Sequence, residues 1–435
     1  MPDRQITFAP HGHLLTNTAV WSPDGRRIVY DVRSDRDGSV FDGTRIESVD
    51  VETGEIAVLY QSRNGAGCGV ATWHPTEPRV VFILGPEHPT ADWAYGASRR
   101  QGVVVDAANP GVAVPLDARD LVPPFTPGAL RGGSHVHVFN AEGSLVSFTY
   151  DDQYLSRFSE PGIDHDISLR NVGVSVVGKP VAVPKSHPRN HDGSAFSVLV
   201  TRTTANPTPG GDDYRKAYEE GWIGVRGYQQ ADGSWRRHAL AFLGDVVNAD
   251  GRPATEVFVA DLPDDLSQPG DGPLAGTETR LPSPPTGVMI RRLTRTADRR
   301  YPGVQGVRHW VRSSPDGAQL AVLMRDNAGV AQLNLVSTRD GALRQLTHHA
   351  TDVASAFTWS PDGRYIAYIN GGCVCRAEVA SGATYRLTEP DAEISRVPLP
   401  LACVWSPDGR RVAYQRRVRI ASGNEYNQIF VADVP

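Results

Sequence analysis

Lysine is almost missing from this 435-residue chain: Lys179, Lys185 and Lys216 are its only three, and arginine supplies the other 41 basic residues. The arginines form no basic block, and the formal net charge is −5 with pI near 6.2. That balance predicts no nucleic-acid and no anionic-membrane partner, because such binding needs clustered cations to displace counterions. Cysteine is scarce as well. Four Cys do not make a disulfide framework, and Cys373 and Cys375 read as small buried residues on a strand. No apolar run reaches membrane length, and MPDRQITFAPHGHLL at the start lacks the apolar core of a secretory leader. These features predict a soluble, cytoplasmic protein. GxSxG, P-loop and Rossmann fingerprints are missing too, so no such motif assigns a chemistry.

Long helical patterns are nearly absent, while Gly (43) and Pro (33) are abundant. That combination predicts many short strands joined by turns. One unit recurs: WSPDGRRIVYD from Trp21, WHPTEPRVVFIL from Trp73, FNAEGSLVSFTYD from Phe139, RNHDGSAFSVLVTR from Arg189, SSPDGAQLAVLMRD from Ser313, WSPDGRYIAYIN from Trp359 and WSPDGRRVAYQRR from Trp405. Each copy reads as a strand, a turn and an alternating strand. In the Pro-Asp-Gly copies Pro pre-sets φ and Gly supplies positive φ. Third and fourth strands follow, as in VAQLNLVST and RQLTHH. Four short strands repeating every 40–50 residues predict an all-β fold, a β-propeller of seven four-stranded blades, with eight as the alternative count. The chain ends on a third-strand pattern, NQIFVADV, and begins on a fourth-strand pattern, RQITFAP. Arg4 to Thr7 should therefore complete the last blade and leave no open edge. Residues 1–435 read as one propeller domain, with loop insertions at 203–222 and 263–289. Within the first insertion, DDYRKAYEEGW is the best helix candidate. QQADGSW reads as an extra hairpin, and the Pro/Gly-rich 271–287 as a loop between strands.

At WSPDG and RQLT the chain resembles the TolB-type propeller repeat, most closely in the last three units. ITFAPHGHLLTNTAVWSPDG, GGSHVHVF, SFTYDD, HPRNHDGS and AYEEGW resemble the YidR-like family of bacterial propellers over nearly the whole length. The resemblance implies the fold and little chemistry. TolB's leader and N-terminal domain have no counterpart, so a periplasmic role is not implied.

In a propeller the first strand of each blade lines the central channel. Taking Ser22, Asn140, Asn190 and Ser314 as equivalent places Ala19, His137, His187 and Val311 at one level. Asn17, His135, Lys185 and His309 fall at the next. His135 and His137, two apart on a strand, should face the same way. His135, His137, His187 and His309 then converge on the axis as metal ligands, as acid–base groups, or as channel packing. Long loops should build the face above: Gly85–Gly102 with Trp93, Arg99 and Arg100, the segment with Tyr150 and Asp151, and the insertion with Arg202. Aromatics beside arginine suit stacking on a sugar and pairing with carboxylates.

His135-Val-His137 is similar to the His pair of oligogalacturonate lyases, propellers that hold manganese at the channel mouth. That similarity implies His135, His137 and His309 as ligands of a divalent metal (manganese, zinc or iron). His187 would be the base or a further ligand, and Arg99, Arg100 or Arg202 would hold substrate carboxylates. The glutamine ligand of that family has no counterpart beside the pair. Two functions follow: a metal-dependent lyase acting on an acidic sugar or oligosaccharide, or a non-catalytic propeller that binds a protein or small ligand. The Asp-Gly pairs at Asp24, Asp316, Asp362 and Asp408 should hold turns, and Trp21, Trp73, Trp359 and Trp405 should pack blade against blade.

Overall fold

A computed structural model describes residues 3–162, 164–307, 310–390 and 397–435. The chain forms seven antiparallel blades around an axis. Blade 1 comprises Arg27–Asp31, Arg45–Asp50 and Ile56–Gln61, with Trp21 bridging Ile28 on the inner side. Blade 2 runs from Cys68–Trp73 to Asn109–Pro115, and blade 3 from Gly132–Phe139 to Gly193–Leu199. Blade 4 begins at Ala217–Trp222 and ends at Met289–Arg292. Blades 5 and 6 begin at Arg312–Ser313 and Thr358–Trp359. Blade 7 comprises Pro398–Trp405, Arg411–Arg419 and Glu425–Asp433, completed by Asp3–Gln5 from the other end of the chain. In that closure Arg4 pairs with Val431, as the terminal patterns predict.

The second strand of each blade carries the core. Its fourth residue is Tyr30, Phe82, Phe148, Phe242, Val322, Tyr368 or Tyr414 in blades 1 to 7, and each is fully buried. Such burial stabilises by roughly 2–3 kcal/mol per large side chain. Tryptophans stitch the blades together. Trp21 Nε1 donates to Val404 O (3.0 Å), and Trp359 Nε1 donates to Arg312 O (2.9 Å). The Pro-Asp-Gly turns repeat atom for atom in blades 1, 5, 6 and 7. Ser22, Ser314, Ser360 and Ser406 each donate Oγ–H to the aspartate two residues on, at 2.5–2.6 Å. The following glycines, Gly25, Gly317, Gly363 and Gly409, take φ near +70°, which a side chain would strain. Cys373 and Cys375 are buried and unbridged.

Three sequence expectations need correction. RNHDGS does not open a blade; it leads into Gly193–Leu199, the outermost strand of blade 3. Asp-Gly chemistry serves either hairpin of a blade, so the turn alone could not tell them apart. DDYRKAYEEGW is not helical: Ala217–Trp222 is the innermost strand of blade 4 and pairs along Ala239–Val247. Pairing at the axis overrides local helix propensity there. The inserted segment 203–222 thus contains a blade strand, while the extra hairpin, Tyr228–Gln229 with Trp235–Arg236, sits in the first turn of blade 4. Trp222 takes the repeat-tryptophan role, donating Nε1–H to Val138 O at 2.9 Å. Helix among the described residues amounts to three 3-10 turns, and none is long and apolar enough to cross a membrane.

Candidate functional site

The innermost strands of blades 1 to 4 are irregular. Ala19, Val70, Val136 and Glu219 all have positive φ, at 50°, 60°, 55° and 53°. Three of these coincide with register shifts, in blades 2, 3 and 4. Valine is a costly residue at such an angle, so surrounding contacts must hold it. At Val70 the holder is visible: its N–H donates to Asp31 Oδ2 (2.7 Å). Asp31 is fixed in turn by Arg33, which donates Nε–H to one oxygen (2.7 Å) and Nη2–H to the other (2.9 Å).

A wall of alternating arginine and aromatic rings rises from this pair. Arg33 lies over Phe41 (5.8 Å), Phe41 stacks on Tyr95 (4.2 Å, 6°), and Tyr95 lies under Arg100 (5.4 Å). Arg100 Nε–H also donates to the Tyr95 hydroxyl at 2.9 Å. The wall bounds an axial cavity of about 200 Å³, lined also by Val70, His135, Val136 and Trp310. Arg100 Nη1 and His135 Nδ1 are buried there without a hydrogen-bond partner. Burial, then repulsion from Arg100 and Arg170, holds His135 neutral, far below the ordinary imidazole range. Asp37 lines the same cavity but is exposed.

A second, outer cavity, about 540 Å³, is lined by the outermost strands of blades 1 and 2 and by residues 188–191 of blade 3. Its centre is Trp93, packed by Arg99 (5.3 Å), Arg189 (5.6 Å) and Arg119 (5.9 Å). Arg119 is buried, which lowers its pKa, and it donates Nη2–H to Arg100 O. Arg99 thus faces the outer cavity and Arg100 the axial one.

The bulge at Val136 separates the two histidines of the His-x-His pair. His135 lines the axial cavity, whereas His137 is fully buried between blades 2 and 3. A Cβ on Gly102 would sit 2.5 Å from His137 Nε2 and 2.6 Å from Asp117 Oδ1, so only glycine fits between them. Burial drives His137 down to about 3 and raises Asp117 to about 6, Arg119 opposing the latter. Deeper on the axis, Arg312 of blade 5 donates Nη2–H to Asn17 Oδ1 ahead of blade 1 (2.5 Å). Blades 1 and 5 are not neighbours, so this bond spans the channel. Glu220 of blade 4 is buried beside it and pushed up to about 7 by desolvation, while accepting from Thr149 Oγ1 at 2.8 Å.

The sequence-predicted site residues therefore fall in several places. Arg100 and His135 share the axial cavity, and Trp93 and Arg99 share the outer one. Arg202 lines a third cavity of about 570 Å³ with His165 and Arg280. Tyr150 is buried and donates its hydroxyl to Asp152 (3.0 Å), and Asp151 pairs with Arg170 (3.3 Å). The equivalence that placed His187 on an innermost strand fails with the blade-4 assignment. His187 sits in the turn before the outermost strand of blade 3, 6.2 Å from the Trp93 ring, and its Nδ1 accepts from Arg189 N–H. His309 lies outside the described residues. Arg33, Phe41, Arg119, Arg189 and Trp310 escaped the sequence reading. The loop RSDRDGSVFDG after the second strand of blade 1 carried the available signal for the first two.

The described residues do not fit a metal at the axis. His135 and His137 diverge, and no His, Cys, Asp or Glu among the described residues completes a three-ligand group with either.

Comparison with known proteins places the chain. Over 393 residues it is 47% identical to "Uncharacterized protein YidR" of Escherichia coli, covering 89% of each protein. The chain belongs to the YidR family. The family described as "Protein of unknown function (DUF3748)" matches residues 67–191, which span blade 2 and most of blade 3. Among solved structures this YidR-family propeller is similar to an oligogalacturonate lyase in complex with manganese. That match has TM-score 0.55 and 11% identity, covering 99% of this chain and 92% of that one. It is also similar to a puromycin hydrolase (TM-score 0.52, 14% identity), of which it spans about half, 52%, while 98% of this chain is covered. These likenesses establish the propeller fold.

Proposed function

We propose that this YidR-family propeller binds a small carboxylate-bearing ligand, of the acidic-sugar class, in the axial cavity. The observation that carries this reading is the pair of buried, unpartnered nitrogens, Arg100 Nη1 and His135 Nδ1, facing a cavity walled by Phe41, Tyr95 and Trp310. A buried guanidinium N–H without an acceptor is costly, and a ligand carboxylate would satisfy it. The aromatic wall offers a stacking face for a sugar ring. At about 200 Å³ the cavity suits one ring, with any further residues of an oligosaccharide outside it. Uronates are the first ligands to test, because the similar propeller named above is an oligogalacturonate lyase.

Binding without turnover is the better-supported form of this reading. Lyase chemistry needs a base to take the proton next to the carboxylate. His135 is held so far below the ordinary range that it is a weak one, and the Arg312–Asn17 bond occupies the axis.

Calorimetry with galacturonate, digalacturonate and the neutral galactose disaccharide tests the proposal. The acidic sugars should bind, the neutral one at least about 10-fold more weakly, and Arg100→Gln should remove that preference. Equal binding of neutral and acidic sugars, or unchanged affinity in Arg100→Gln, would reject the cavity as a carboxylate site. An unsaturated uronate product would show that the site is also a lyase.

A further inference from the structure

The seam where the propeller closes holds a second group of ligating side chains. His11 and His13 lie on the connection from the closing strand Asp3–Gln5 to blade 1, and Glu47 lies on the Arg45–Asp50 strand of blade 1. One ring nitrogen from each histidine and one carboxylate oxygen lie within 4.8 Å of one another. His11 Nε2 lies 3.8 Å from Glu47 Oε2.

The surroundings orient all three. His11 Nδ1 faces Gly12 O and His13 Nδ1 faces Asn427 O, each at 3.1 Å. A carbonyl oxygen can only accept, so each Nδ1 carries a proton, and in the neutral form of either ring Nε2 keeps the lone pair. A backbone carbonyl on the far nitrogen is the usual support of a metal-binding histidine. Glu47 is arranged likewise: Arg45 Nε holds Oε1 at 3.2 Å, leaving Oε2 toward the histidines. His13 Nε2 and Glu47 Oε2 are buried and make no well-formed hydrogen bond, and the Tyr30 hydroxyl lies against the Glu47 carboxylate. The rings of His11 and His13 stack at 4.4 Å, and Tyr30 packs on His13 at 4.9 Å. The His11 side chain is 25% exposed and Glu47 only 2%, so the group has one open side.

We propose that His11, His13 and Glu47 bind a divalent transition-metal ion of the zinc class, with solvent in the fourth position. Two neutral imidazoles and one carboxylate are a sufficient protein shell for that ion. Ligand atoms around tetrahedral zinc stand roughly 3.3 Å apart, so the partly exposed His11 ring would turn out of its stack on His13 to bring both Nε2 lone pairs to one ion. The ion would tie the closing segment to blade 1. That segment is already held to blade 7, since His13 N–H donates to Asn427 O and Gln415 Nε2 donates to His13 O. The site is independent of the axial cavity and of the ligand proposed there.

The test uses the full chain, stripped with chelator and titrated with zinc, with stoichiometry read by elemental mass spectrometry after gel filtration. About one equivalent should be retained, and cobalt(II) in its place should give the visible absorption of a tetrahedral site. Glu47→Gln and His11→Ala, the second at a partly exposed position that should not disturb folding, should each weaken zinc binding about 10-fold or more. At equal zinc concentration the Tm of the wild type should rise more than that of His11→Ala. The His135→Ala/His137→Ala double variant should keep the full equivalent. Failure of the stripped wild type to bind zinc, or equal binding by His11→Ala, would overturn the proposal. So would loss of the metal in the His135/His137 variant alone.

Discussion

Blades 2 to 4 and blades 5 and 6 are made from one unit, yet they differ at the axis. Blades 5 and 6 enter through two-residue strands in unbroken register, Arg312–Ser313 and Thr358–Trp359, followed by the Ser-Pro-Asp-Gly turn. Blades 2 to 4 enter through longer strands bulged at Val70, Val136 and Glu219. Among the described residues every non-glycine at positive φ lies at or before Glu219. Arg100, Asp117, Arg119, His135 and His137, each with a buried side-chain atom lacking a hydrogen-bond partner, belong to blades 2 and 3 or their connections. Where the repeat is regular, local turn chemistry and packing satisfy the backbone. Where it bulges, side chains are re-aimed and strain is held by tertiary contacts, the usual surroundings of a binding site.

The largest test of this contrast removes a buried tertiary contact from the irregular half. Arg131, 1% exposed, donates Nε–H to Asp152 Oδ2 at 2.7 Å, and its other nitrogens donate to the carbonyls of Thr277 and Arg280. Arg131→Ala should cost about 3–5 kcal/mol in denaturant unfolding, because it strands a buried carboxylate and frees the 271–287 loop. Asp362→Ala in the regular half removes only a turn contact and should cost about 1 kcal/mol. Comparable losses would break the contrast.

A middle-sized effect concerns pH. Glu220 titrates near 7 when folded because burial disfavours its charge. The unfolded chain binds fewer protons than the folded one between the ordinary value of about 4.5 and 7. Stability is therefore lost as pH rises through that window, and the loss is complete above it. Glu220→Gln should be roughly 2 kcal/mol more stable than wild type at pH 8 and no more stable at pH 4. An unchanged difference across that range would remove Glu220 from the account.

The smallest effect should change sign with location. Blade 1 combines a regular turn with one left-handed residue, Ala19 at φ 50°. Ala19→Gly should stabilise by about 0.5–1 kcal/mol, since glycine takes that angle freely. Ala367, fully buried in the second strand of blade 6, should lose about 1 kcal/mol or more on the same substitution. Chemical denaturation of the two variants side by side decides it.

The WSPDG turns, the tryptophans that follow them around the ring and the two terminal half-patterns were readable without coordinates, because each rests on contacts within one unit or between identical neighbours. Arg100 and His135, which both line the axial cavity, were readable as separate candidates by their residue types and their place on a long loop and an inner strand. Their separation from His137, Tyr150 and His187 was not. Valine gives no local signal for a left-handed angle, and it is Asp31, from another blade, that holds one at Val70. The same limit hid blade 4, since an Asn/Asp-Gly turn looks alike in either hairpin of a blade. His11 and His13 could be seen as a spaced pair, but Glu47 reaches them only through the sheet of blade 1. Periodic local chemistry therefore determined six of the seven blades and the closure. Only the tertiary structure decided which side chains meet, because one bulge or one inserted hairpin re-aims a strand without altering the pattern that builds it.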